Sequence, residues 1–113
     1  MPDHIRIYPA QGTWVVRAGG AVIGESRAAL ELTEGDYPPV IYFPRKDLAM
    51  AMLDPSPTRT TCRWKGKASY HTLVTAHATL KDVGWSYDAP LPEMARIAGM
   101  IAFDRAQVTI ERI

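Results

Sequence analysis

Apolar and polar residues alternate with a period of two along most of this chain, the pattern of half-buried strands. The clearest case is TWVVRAGGAVIGES, residues 13–26. Gly19-Gly20 in its middle predicts a two-residue hairpin turn, because such turns need positive φ at both positions. Pairing across it puts Trp14, Val16, Ala21 and Ile23 on one face. Val15, Arg17, Val22 and Gly24 take the other, so the more apolar first face marks the core side. AALEL, residues 28–32, fits either a strand or a helical turn. TEGDYPP is a loop by its Gly and Pro content. VIYF, residues 40–43, is β-branched and aromatic and predicts a strand. Pro44 then opens a short helix over residues 44–53, since proline suits a first helical position. Leu48, Ala49, Met52 and Leu53 form its apolar stripe, and the prolines of DPSP end it.

Residues 58–70 alternate again. Thr58, Thr60, Cys62, Trp64, Ala68 and Tyr70 share one parity; Arg59, Thr61, Arg63, Lys65, Lys67 and Ser69 share the other. This predicts a strand with one wet face and a bulge or tight turn at Gly66. LVTAHATLKDVGWSY predicts a second hairpin turning near Ala76 to Ala78, and DAPLPE a loop. GMIAF and QVTIERI read as two further strands. At an offset of 60, Gly24, Ser26, Ile41, Phe43 and Arg45 align with Gly84, Ser86, Ile101, Phe103 and Arg105, and Leu48 with Val108. The alignment suggests two related halves about a pseudo-dyad. Together these elements predict a mostly β fold: an antiparallel sandwich or small open barrel of short strands with one short helix.

Bulk properties narrow the class. The 113 residues suit a single domain over 1–113, and 47% hydrophobic with 22% charged residues is an ordinary globular balance. A net charge of +1 predicts neither nucleic-acid nor membrane-surface binding. No stretch approaches the roughly 20 apolar residues of a membrane span. MPDHIRIYPA lacks the apolar run of a signal peptide, so the expected setting is cytoplasmic. Cys62 is the single cysteine and is expected to be a free thiol there. Neither it nor His4, His71 and His77 forms a metal-binding spacing, so no metal or cofactor is expected.

Candidate chemistry centres on RWKGKASYHTL, residues 63–73. Lys65 abuts Gly66, and a glycine lets backbone approach a ligand that a lysine attracts. The phosphate-loop signature is absent, and Arg63, Lys65 and Lys67 also fit one wet strand face. Arg45 and Lys46 would sit in the first turn of the helix, where an anion would be welcome. Tyr42, Trp85 and Tyr87 recur at strand spacing, and the last two share a face on which a flat ligand can stack. The favoured reading is a small anionic or aromatic ligand in a cleft between the helix start and the Lys-Gly-Lys loop. Its residues are Tyr42, Arg45, Lys65, Gly66, Trp85 and Tyr87. Two alternatives stand beside it: an interaction or self-association (homo-oligomer) module, and an enzyme using Cys62 or a lysine–carboxylate pair. The thiol version needs a partner base, for which His71 and His77 are available in sequence.

Four motifs in order carry a resemblance: YFPRKDL at 42–48, TTCRWKGKASY at 60–70, GWSYDAPLP at 84–92 and IAGMIAF at 97–103. They resemble a widespread bacterial family catalogued as domain-of-unknown-function family 427, from about Trp14 to Phe103. The resemblance implies a small, mostly β, single-domain protein with no established activity. Arg63 stands where similar members often have proline. The family has carried a nucleotidyltransferase label. That chemistry needs clustered carboxylates to hold its metals, whereas Asp36, Asp47, Asp54, Asp82, Asp88 and Asp104 stand singly here.

Overall fold

Ten strands run through residues 3–113, the part of the chain that the computed structural model describes. In chain order the first five are β1 (Ile5–Pro9), β2 (Trp14–Ala18), β3 (Ala21–Ser26), β4 (Leu30–Glu34) and β5 (Val40–Tyr42). The rest are β6 (Leu53–Cys62), β7 (Gly66–Val74), β8 (Thr79–Ser86), β9 (Ile101–Phe103) and β10 (Thr109–Arg112). They form three antiparallel sheets in the orders β1-β4-β5, β10-β2-β3 and β6-β7-β8-β9. Phe43 and Ile101 exchange backbone hydrogen bonds of 2.8 and 2.9 Å, which stitches β5 to β9 and so joins the first sheet to the last. The mostly β reading therefore holds, without closure into a barrel.

The core divides into two clusters. Val16, Ile23, Phe43, Leu48, Leu73 and Ile101 belong to the first, while Ile5, Leu32, Tyr42, Met94, Ile97 and Ala102 belong to the second. β5 and β9 feed both, which is why VIYF and MIAF are apolar without alternation. The T-shaped pair Phe43–Phe103, with centroids 5.9 Å apart, lies in the first cluster.

Residues 44–53 are not a helix. They make two short 3-10 turns, Arg45–Asp47 and Met50–Met52. Between them Leu48 bridges Gly24, and the Ala49 amide donates to the Ile23 carbonyl at 2.7 Å. The edge of β3 thus takes the backbone groups that a helix would have kept for itself. The apolar stripe was real in composition, since Leu48 and Leu53 are buried, but turn geometry accounts for it. Nor does DPSP end the segment: it lies inside β6. Pro55 and Pro57 are tolerated because β6 is an edge strand, where a missing N–H costs no ladder bond.

The Gly19-Gly20 turn forms, with φ of 57° and 78°. Its register differs from simple alternation. A bulge after Val16 sets that residue opposite Gly24 instead of Ile23, so Val15, Val16, Ile23 and Gly24 are all buried. A Cβ on Gly24 would stand 2.5 Å from Leu48 Cδ2 and 2.7 Å from the Asp47 carbonyl oxygen. Gly24→Ala is therefore expected to cost about 2 kcal/mol through overpacking against backbone. An unchanged urea midpoint would mean that the 47–48 segment retreats freely.

Residues 58–70 are two strands rather than one. The chain reverses through 63–65, Cys62 pairs with Gly66, and Gly66 takes φ of 112°. The tight turn at Gly66 is present, and the single wet face of Arg63, Lys65 and Lys67 is not. The second hairpin turns where expected, with Val74 opposite Thr79. β1 carried no strand signal strong enough to notice. Its open edge is partly covered, since Arg96 donates to the Ile7 carbonyl at 2.6 Å.

Candidate functional site

Four of the six expected site residues meet at one cavity of about 570 Å³: Tyr42, Lys65, Trp85 and Tyr87. They arrive from three segments. Tyr42 ends β5, Lys65 closes the 63–65 loop, Trp85 lies in β8, and Tyr87 follows it. Leu32 and Val40 add apolar wall, and Ile41, Phe103, Asp104 and Arg105 continue the lining.

Lys65 is only 7% exposed. Its Nζ lies 2.6 Å from Glu34 Oε1 and 3.8 Å from Cys62 Sγ. A buried ammonium needs such a partner, because an unpaired one would be too costly to desolvate. His4 Nε2 stands 3.8 Å from the other Glu34 oxygen. The three cations of the loop region are thus used differently. Lys65 is buried and paired, Arg63 lies over the Trp64 ring at 4.6 Å, and Lys67 is exposed. The two turns of the chain around residues 63–66 explain this, because they point successive side chains in unrelated directions.

Tyr42 and Tyr87 are buried, and burial pushes both phenols well above their ordinary pKa. Both hydroxyls therefore stay protonated through the physiological range. They can donate as well as accept a hydrogen bond.

Arg45 and Gly66 stand away from the cavity lining. Arg45 Nε donates to the Gly99 carbonyl at 2.6 Å, and its Nη2 reaches Ser86 Oγ at 3.1 Å and Asp88 Oδ1 at 3.0 Å. It clasps three segments of the fold together. With no helix behind it, the expected helix-end anion site does not form. Gly66 packs on the Pro90-Leu91 loop, and the Leu91 amide donates to the Lys65 carbonyl at 3.0 Å. The glycine is needed for its positive φ.

Sequence reasoning missed Glu34, Asp104 and Arg105 as lining residues. Nothing local marks Glu34. Arg105 did appear in the alignment at an offset of 60, as the counterpart of Arg45.

Cys62 packs with the second core cluster. His71 projects to the other side of the sheet, where it faces Arg45 and Asp88, and His77 is exposed in the 75–78 turn. Neither histidine makes a hydrogen bond to the thiol. Among the described residues no three His, Cys, Asp or Glu side chains gather as a metal site.

His71 is buried and its Nδ1 has no hydrogen-bond partner among the described residues. Burial first, and Arg45 second, hold its pKa below the ordinary 6.5. The unfolded chain therefore takes up this proton at higher pH than the folded one. Stability is expected to fall as pH drops through about 6.5 and to level off below the folded pKa. Urea midpoints between pH values of about 8 and 5.5 should show this. His71→Gln should flatten the difference; an equal slope in the variant would assign it elsewhere.

Fold and cavity together define a small antiparallel β domain with a cleft of a size that accepts metabolite-like molecules. The family model described as a domain of unknown function (DUF427) matches residues 6–113, and the chain belongs to that family. No curated protein matches it.

Proposed function

We propose that the protein binds a small molecule carrying a flat ring in the cavity walled by Tyr42, Lys65, Trp85 and Tyr87. The observation that carries this reading is the meeting of these four side chains, from three segments, on one space of about 570 Å³. The partly exposed Trp85 ring offers a stacking face. The two neutral phenols offer directed hydrogen bonds, and the Lys65–Glu34 pair offers a donor and an acceptor with little net charge. The site lies beside the 63–65 loop but apart from residues 44–53. We also propose a bacterial cytoplasmic setting, in which Cys62 stays reduced.

A screen of aromatic fragments by heteronuclear NMR tests the reading. Hits should shift resonances of Tyr42, Trp85 and Tyr87 first, and Trp85→Leu should weaken them about fivefold, the value of one aromatic contact. Hits that cluster elsewhere, or affinities indifferent to Trp85→Leu, would end it. A dimer whose interface fills the cavity would end it too, in favour of self-association.

A further inference from the structure

Two of the position pairs related by the offset of 60, 41/101 and 43/103, lie along one seam. Phe43 and Ile101 pair through their backbones where β5 meets β9. Exchanging the two halves converts this pair into Phe103 and Ile41. That counterpart pair is not made: the Phe43–Ile101 bridge is isolated, and β5 and β9 share no further ladder. Ile41 and Phe103 line the cavity instead. One half of the seam is hydrogen-bonded, and the other half, its side chains still buried, backs onto the cleft.

The same exchange relates Arg45 to Arg105. Arg45 is satisfied by the protein itself, through a carboxylate, a hydroxyl and a carbonyl. Arg105 lines the cavity, is exposed, and makes no hydrogen bond or ion pair with the described residues. Its neighbour Asp104 forms no ion pair with it. That carboxylate is engaged by the Ala106 amide at 3.0 Å and by Gln107 Nε2 at 3.0 Å. The cleft thus holds a guanidinium without the acceptors its counterpart has.

We infer that the ligand of this cavity carries a carboxylate, which Arg105 takes as Arg45 takes Asp88, while the ring lies toward Trp85. The inference rests on the binding role proposed above and adds the ligand's charge and the residue that reads it. A planar fork of donors matches a carboxylate in two-point contact, which a neutral hydroxyl cannot reproduce.

Naphthalene-2-carboxylate and 2-naphthylmethanol share a ring and differ in charge, so they serve as probes. NMR titration of the wild-type protein at neutral pH should show the acid binding at least fivefold tighter. Arg105→Gln should remove that preference, bringing the acid's affinity down to that of the alcohol. Lys67→Gln, which deletes an exposed cation outside the cavity, should keep the preference. Equal binding of both probes to wild type overturns the inference and leaves the cavity reading standing. So does a preference that survives Arg105→Gln or vanishes in Lys67→Gln. Failure of both probes to move any cavity resonance overturns the two together.

Discussion

Phe43→Ala is expected to destabilise the protein by about 3–5 kcal/mol, the range for emptying a fully buried phenylalanine site. Phe43 is 0% exposed. Its ring packs edge-on against Phe103, and its backbone makes the only stitch between β5 and β9 among the described residues. The lost volume sits between two sheets whose positions are held by their own ladders, so the site has little room to collapse. The melting temperature should fall by about 15 °C or more. Phe103 walls the cleft, so the cleft's affinity for aromatic probes should fall as well. A loss below about 1 kcal/mol would mean that the cluster repacks, and that the seam is not the rigid element described here.

Lys65→Ala is the second large effect, expected at about 3 kcal/mol. Removing one member of a buried pair leaves the other charge without its partner, at about 3–5 kcal/mol. The lower end applies because the Glu34 side chain is still 23% exposed and keeps some water. The double variant Glu34→Leu/Lys65→Met should recover most of this loss, since it removes both charges together and preserves bulk. Urea unfolding of both single variants and the double variant checks it. If the double variant loses as much as the sum of the singles, the two groups are not coupled and the 2.6 Å contact contributes little.

Legibility in the sequence followed the range of the forces involved. Both hairpin turns were readable because positive φ at Gly19-Gly20 and the polar interruption near Ala76–Ala78 are local properties. The largely buried strands β5 and β9 were readable as short apolar runs. The helix over 44–53 was misread because proline and apolar spacing favour it locally, while β3 across the way claims Leu48 and Ala49. Tertiary pairing outweighed a weak intrinsic preference. The bulge at Val16 was missed for the same kind of reason. It serves the close approach of Gly24 to residues 47–48, which no window of adjacent residues contains.

The site divides the same way. Tyr42, Lys65, Trp85 and Tyr87 were picked as residue types that suit a ligand, and they share a cavity. Arg45 was picked on equal grounds and is used inside the fold, whereas Arg105 was passed over and lines the cleft. An arginine's letter and neighbours are the same whether or not acceptors stand opposite it.

By itself, the sequence determined that this is a small, mostly β domain of one recognisable family, with its main turns in known places. Period-two alternation, glycine φ and contiguous motifs are written within a few residues of each other. Only the tertiary structure decided that Lys65 is buried against Glu34, that Arg45 is a clasp, and that Arg105 lines the cleft. Burial and charge pairing depend on what stands across from a side chain, and strand pairing over tens of residues sets that.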